Sequence, residues 1–174
     1  MNRFATILFL FALLTEGCNN ADVKEPQVYE GPLREFQDIE SLYTESDRVK
    51  IKLQAALIYE YASGDREFPE GIYLEFYDEM GNLQSTLKAN HAYYFKEQDL
   101  WRGQGKVEVK NIQKSEQLTT EELFWNPQEK KIYTEKFVTI EKQGNLIYGE
   151  GLEANQDMTE YEIKSPKGRI QVNE

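Results

Sequence analysis

Apolar and polar residues alternate along much of the chain, as they do in strands that bury one face. In "RVKIKLQ", residues 48–54, Val49, Ile51 and Leu53 alternate with charged or amide side chains. Because successive side chains of a strand point to opposite faces, this period of two predicts a half-buried strand. The same alternation recurs in "GKVEVKN", residues 105–111, and in "KFVTIEK", residues 136–142.

The segment "GIYLEFYDEMGNLQSTLKA", residues 71–89, predicts a β-hairpin. Ile72, Leu74 and Phe76 share one face of its first half, and a turn is expected at residues 78–82. The return half places Leu87 and its alternate neighbours on one face. Tyr and Phe are abundant and long helical patterns are missing, so a mostly antiparallel all-β fold is predicted.

Three segments align with a spacing of 31 residues, starting at residues 89, 120 and 151. Each predicts a strand, a polar turn and a second strand, and the third copy shifts by one residue near its end. The apolar positions that coincide are Ala92, Leu123 and Ala154; Trp101, Ile132 and Ile163; and Val107 and Val138. Stacked strand pairs of this kind build a double sheet, although any antiparallel meander has some self-similarity at this period.

The lead-in "REFQDIESLYTESD", residues 34–47, has no single period. It fits a strand with an irregular exit, and it also fits one helical turn around Ile39 and Leu42. Both interpretations stay open. It follows a polar segment, residues 21–30, that contains Pro26 and is typical of a short tether.

The apolar run "FATILFLFALL", residues 4–14, is too short to cross a bilayer but has the length of the core of a secretory signal. Cys18, the single cysteine, follows shortly after it. In bacteria, a small residue before such a cysteine marks lipoprotein processing. Gly17 fits this pattern, whereas Thr15 and Glu16 depart from it. We expect acylation of Cys18; the alternative is a free or buried thiol. The predicted organisation is a signal at 1–17, a lipidated tether and lead-in at 18–47, and one domain at 48–174.

The net charge of −11 argues against nucleic acid as a partner, because a basic surface is absent. With one cysteine no intramolecular disulfide can form, so stability depends on packing. No cofactor or metal is expected: His91 is the single histidine, the carboxylates are scattered, and no phosphate-binding glycine loop is present. An enzyme is therefore the least favoured class. Trp101 and Trp125 suit core or rim packing better than a sugar-stacking platform.

A family resemblance covers nearly all of residues 48–172. The segments that carry it are "LQAALIYEY", "FPEGIYLEFYDEMGNLQSTLKANHAYYFKEQDLWRGQGKVEVKN", "LTTEELFWNPQEKKIYTEKFVTI" and "IYGEGLEANQDMTEYEIKSPKGRI". Together they resemble the LptC family of periplasmic lipopolysaccharide-export proteins. The same repeat occurs in the bridge protein LptA.

The resemblance implies a twisted, slightly open β-jellyroll on the periplasmic side of the inner membrane. Such a domain takes lipopolysaccharide from the transmembrane subunits of an ABC transporter and passes it to an LptA-like bridge, as part of outer-membrane biogenesis. Familiar members are anchored by a helix, whereas a lipid on Cys18 is expected here. A surface lipoprotein that acts as an adhesin or binds glycans is the alternative.

Acyl chains can be kept out of water only by a continuous apolar lining, since each buried methylene contributes about 0.8 kcal/mol. The inward faces of the strands supply the expected lining: Leu74, Phe76, Leu87, Val107, Val109, Val138 and Ile140. Plain core packing is the alternative for each. In the family, the two end strands bind the transporter and the bridge. The matching edge residues are Val49, Ile51 and Leu53 at one end and Ile163, Gly168, Ile170 and Val172 at the other.

Overall fold

A computed structural model describes residues 29–171, with side-chain environments up to residue 168. These residues form an all-β fold of eleven antiparallel strands in one continuous sheet. The strands are β1 (Arg34–Glu45), β2 (Arg48–Glu60), β3 (Arg66–Phe68), β4 (Ile72–Tyr77), β5 (Leu83–Ala89), β6 (His91–Phe95), β7 (Leu100–Asn111), β8 (Glu116–Asn126), β9 (Lys131–Lys142), β10 (Asn145–Asn155) and β11 (Tyr161–Gln171). The predicted all-β class is confirmed.

The sheet folds back on itself because β2 and β7 each pair with two short strands along the same side. Different parts of each long strand make the two pairings. Residues 51–54 of β2 connect through β4 and β5 to residues 108–111 of β7. Residues 59–60 of β2 connect through β3 and β6 to residues 100–104 of β7. These two paths form two facing layers, a jellyroll-like arrangement in which the longer strands run through both layers.

The long strands of the meander β7–β11 pass from one layer to the other at interruptions of their pairing. The register shifts between Gln104 and Val107, between Thr120 and Phe124, and between Glu150 and Leu152. At the first of these, Gly105 and Lys106 both have positive φ. Such bulges bend a strand and increase its twist, so they lie where the sheet turns.

The predicted hairpins are confirmed. The turn after β4 is held by the Asp78 carboxylate, whose Oδ1 accepts hydrogen bonds from the backbone N–H groups of Met80 and Asn82, both at 2.8 Å. The three repeats correspond to the hairpins β6–β7, β8–β9 and β10–β11. Their aligned positions Ala92, Leu123 and Ala154 are all buried, so the repeat in the sequence is a repeat of the core.

The lead-in is a strand, β1, and it pairs along its whole length with β2. Its pattern is irregular because Asp38 has a φ of 50° and lies between two apolar positions, Phe36 and Ile39, that pack against the core. The compact folded unit therefore begins at Gly31. β1 belongs to this unit and lies in the range that the sequence pattern left as an uncertain lead-in.

Candidate functional site

The apolar interior, meaning the space between the two layers, contains all seven predicted lining residues. Each is at most 4% exposed and belongs to the same hydrophobic core. They lie on β4, β5, β7 and β9, at the alternate positions that point inward: Leu74, Phe76, Leu87, Val107, Val109, Val138 and Ile140. The alternation in the sequence thus located the inner faces correctly.

Aromatic rings join the layers. The ring of Phe76 on β4 meets that of Trp125 on β8 edge to face, with centroids 5.2 Å apart. Trp125 lies beside Trp101 at 5.7 Å, and Trp101 contacts Phe68 at 5.4 Å. Both tryptophans therefore pack in or against the core, as expected, and do not form an exposed sugar-stacking platform.

The interior is closed to a lipid in this conformation. A cavity beside Trp101 and Trp125 has a volume of about 10 Å³. That is about the volume one water molecule needs, and far less than an acyl chain needs. The seven residues therefore pack against one another, and a bound chain requires the layers or a covering segment to move.

A buried carboxylate, paired with a partly exposed lysine, marks one margin of the interior. Glu116, at the start of β8, is 3% exposed, and its Oε1 lies 2.6 Å from Nζ of Lys142. Its Oε2 is buried and accepts no hydrogen bond from the part of the chain that the structure describes. Neighbouring Asn111 donates a hydrogen bond from Nδ2 to the carbonyl oxygen of Asp157 at 2.7 Å. This margin is polar, in contrast to the lining.

Two strands have one free edge each within residues 29–171. β1 pairs with β2 alone, and β11 pairs with β10 alone. Along β11, Ile163 pairs with Leu152, Gly168 with Tyr148 and Ile170 with Leu146; Val172 lies outside the described residues. Unpaired strand edges are templates for another strand, so both are candidate docking surfaces.

The expected edge at Val49, Ile51 and Leu53 is corrected. These residues lie in β2, which is paired on both sides: Ile51 faces Tyr43 of β1 and Phe76 of β4. They are half-buried, as predicted for the strand, but the free edge belongs to β1. The free edge was expected one strand too late because β1 lies in the lead-in, for which the sequence left a strand and a helical turn equally open.

An open groove of about 830 Å³ lies near the hairpin end of β1. Leu42, Val49 and Met80 contribute apolar walls, and Leu42 is 52% and Met80 84% exposed. Both of its cations have a partner: Lys52 lies 2.9 Å from a carboxylate oxygen of Glu40, and Arg48 donates a hydrogen bond from Nη1 to the backbone oxygen of Glu79. The groove therefore carries no free basic cluster for a phosphate group.

On the outer surface, Glu67 of β3 accepts hydrogen bonds from three side chains. The donors are the hydroxyl of Tyr61 at 2.5 Å, the hydroxyl of Tyr93 at 3.2 Å and, with Nε2 protonated, His91 at 3.0 Å. These bonds, that from Tyr61 above all, hold the pKa of the Glu67 carboxyl below its usual range. The Glu67 carboxylate in turn raises the pKa of Tyr61 to about 12. The single histidine thus has a structural partner.

Residues 29–171 contain no group of three His, Cys, Asp or Glu side chains placed to hold a metal ion. No helix capable of spanning a membrane occurs in the same range. Cys18 and the apolar run before it lie outside the described residues.

The fold and the interior define a class: an antiparallel β-jellyroll with an apolar core between two layers and a free edge strand at each end of the described sheet. The family model described as "Lipopolysaccharide-assembly, LptC-related" matches residues 5–171. The chain therefore belongs to the LptC family. Membership gives the protein a role in lipopolysaccharide transport, in a family of transport components that is not known for enzymatic activity. A comparison with curated proteins finds no match.

Proposed function

We propose that this protein is a membrane-attached periplasmic carrier that accepts lipopolysaccharide from the transmembrane subunits of an ABC transporter and passes it to an LptA-like bridge protein. The observation that carries the proposal is the continuous apolar interior, from Leu74 on β4 to Ile140 on β9, in a chain of this family. Its lining crosses four strands, so a chain bound there is shielded from water along its length.

The edges support the order of transfer. β1 is closest in sequence to the proposed anchor at Cys18, and it presents one free edge to the transporter. β11 presents its free edge to the bridge. Strand addition at both edges extends one sheet through three proteins, and the apolar interiors then form a continuous path.

The anchor is the second part of the proposal. A signal at residues 1–17 directs export, and acylation of Cys18 holds the domain on the periplasmic face of the inner membrane. More than one acyl chain is needed for stable attachment, which is what lipoprotein processing supplies. The polar segment from Cys18 to Glu30 then serves as the tether.

Photo-crosslinking in cells that make labelled lipopolysaccharide tests the carrier function. The variant is Phe76→p-benzoylphenylalanine, at an inner position that is 2% exposed. The matched control is Phe137→p-benzoylphenylalanine, at an outward position on β9 that is 51% exposed. We expect lipopolysaccharide adducts from position 76 and several-fold fewer from position 137. Equal or absent labelling from position 76 contradicts the proposal, provided that both variants are folded by circular dichroism.

A further inference from the structure

The turn between β10 and β11, residues 156–160, departs from the corresponding turns of the other repeats. It has one residue more than the turn at residues 127–130 between β8 and β9. At the repeat spacing of 31, Met158 corresponds to Pro127 and to Lys96. Lys96 is exposed and Pro127 half-buried, whereas Met158 is fully buried in the hydrophobic core. The third turn therefore enters the interior where the others stay at the surface.

Hydrogen bonds connect this turn to strands of both layers. The backbone oxygen of Gln156 accepts a hydrogen bond from Oγ of Ser85 on β5 at 3.3 Å, and its side-chain Oε1 accepts one from the Trp125 indole at 3.0 Å. Ser85 pairs directly with Phe76, one of the lining residues. The turn is thus placed beside the lining, across the gap between the layers.

Met158 is held in an uncommon backbone conformation. Its φ is 58°, which residues with a side chain rarely adopt. Its N–H bonds to the oxygen of Asn155 at 2.9 Å, and Thr159 binds the Asp157 carboxylate through both its N–H and its hydroxyl. The turn is therefore fixed by hydrogen bonds of its own, and the polar groups with which it contacts the layers would bond to water if they were exposed.

We propose that Met158 occupies the end of an acyl-chain site and that residues 156–160 form a plug, which swings out when a lipid chain enters between the layers. The proposal rests on the proposed function and names the occupant of the interior: an unbranched hydrocarbon chain. The methionine side chain is itself linear, apolar and flexible, so it resembles a short alkyl chain in shape and chemistry. Its withdrawal from the core opens space for the end of such a chain.

Two variants of the full-length protein test the plug. Met158→Gly removes the side chain and keeps the turn, because glycine adopts a φ of 58° without steric cost. The double variant Gln84→Ala with Lys114→Ala leaves Met158 in place and cuts two tethers, from Gln84 to the Asp157 carboxylate and from Lys114 to the Thr159 oxygen. The control is Pro127→Gly, at the corresponding position of the second repeat.

The readout is binding of parinaric acid, a straight-chain fluorescent fatty acid, titrated onto each purified protein. We expect both plug variants to bind it several-fold more tightly than the parent protein, and Pro127→Gly to match the parent. Near-ultraviolet circular dichroism of the two tryptophans excludes variants that bind the probe because their packing is lost.

Unchanged binding in both plug variants overturns the plug. Tighter binding by Met158→Gly alone also overturns it, because the probe would then fill a cavity made by the substitution. Neither result depends on lipopolysaccharide, so failure of the plug is distinct from failure of the carrier function, which the crosslinking at Phe76 decides.

Discussion

The indole N–H of Trp125 donates a hydrogen bond to Oε1 of Gln156 at 3.0 Å, and this bond ties β8 to the turn between β10 and β11. The same indole ring meets Phe76 from the facing layer. One side chain therefore connects the two layers and the turn that covers them. A substitution of Trp125 should therefore destabilise the fold more than a substitution of an exposed aromatic residue.

Trp125→Phe is expected to lower the free energy of unfolding by about 2 kcal/mol or more, since it removes the hydrogen bond and part of the buried ring. Urea unfolding followed by far-ultraviolet circular dichroism measures the change. Phe137→Leu, on the outer face of β9, should change it by less than about 0.5 kcal/mol. Equal effects of the two substitutions would contradict the role given to Trp125.

Gly71 and Gly81 form a matched pair for backbone packing. Their φ values are 87° and 84°, so alanine is conformationally strained at both. A Cβ on Gly71 would lie 2.2 Å from the Ala89 oxygen, whereas a Cβ on Gly81 meets nothing within 4 Å. Gly81→Ala should lower the free energy of unfolding by about 1–2 kcal/mol. Gly71→Ala should lower it by clearly more, because of the additional clash. Thermal or urea unfolding checks the order, and a cost at Gly81 equal to that at Gly71 would show that the clash is relieved.

The Glu67 cluster predicts a dependence of stability on pH. The pKa of Glu67 is lowered by folding, so its contribution is present above the unfolded pKa near 4.3 and is lost as the pH falls through the folded value. Tyr61→Phe removes the principal donor. We expect the variant to be less stable than the parent at pH 7, with a difference that shrinks toward pH 3 in urea unfolding.

The same pair gives an alkaline limit. The pKa of Tyr61 is raised by folding to about 12, so its stabilisation is complete below the unfolded value near 10 and is lost as the pH rises through 12. Tyr43→Phe, at a side chain that is 59% exposed, is the control. It should change neither the acid nor the alkaline dependence of the free energy of unfolding. If the free energies of unfolding of Tyr61→Phe and the parent differ by the same amount at every pH, the hydrogen bond between Tyr61 and Glu67 does not link stability to pH.

The proposed anchor predicts that Cys18→Ala abolishes incorporation of a clickable fatty acid. Without the thiol, no acyl group can be attached at this position, so the protein should keep its signal or be released from the membrane. Fractionation and gel fluorescence measure both outcomes. Undiminished fatty-acid labelling of the variant would rule out Cys18 as the lipidated residue.

The proposed edge contact predicts the effect of truncation after Lys164. This removes the second half of β11, from Ser165 onward, and with it much of the free edge. Capture of the LptA-like bridge should be lost, while capture of the transporter through β1 is retained. Circular dichroism establishes that the truncated protein is folded; if it is folded and binds the bridge as well as the full chain does, the carboxy-terminal contact is wrong.

The sequence pattern was sufficient to predict the strands and hairpins wherever a strand buries one face and a turn joins it to the next strand in the chain. The hairpin closed by Asp78 and the inner positions of β7 and β9, such as Val107 and Val138, follow from period two and turn chemistry alone. The repeat was visible because each hairpin buries the same positions against the next. These features depend on residues close together in the chain.

Tertiary structure decided the features that depend on distant segments. Whether β2 is an edge depends on β1, whose period is broken at Asp38, so the alternation in Val49–Leu53 could not reveal its second neighbour. Met158 is buried although its segment has the composition of a polar turn. Its neighbours Gln156 and Asp157 hold that turn against strands more than thirty residues away in the sequence. The volume left between the layers likewise depends on how the inner faces meet, because packing across a sheet sandwich joins side chains that no local period relates.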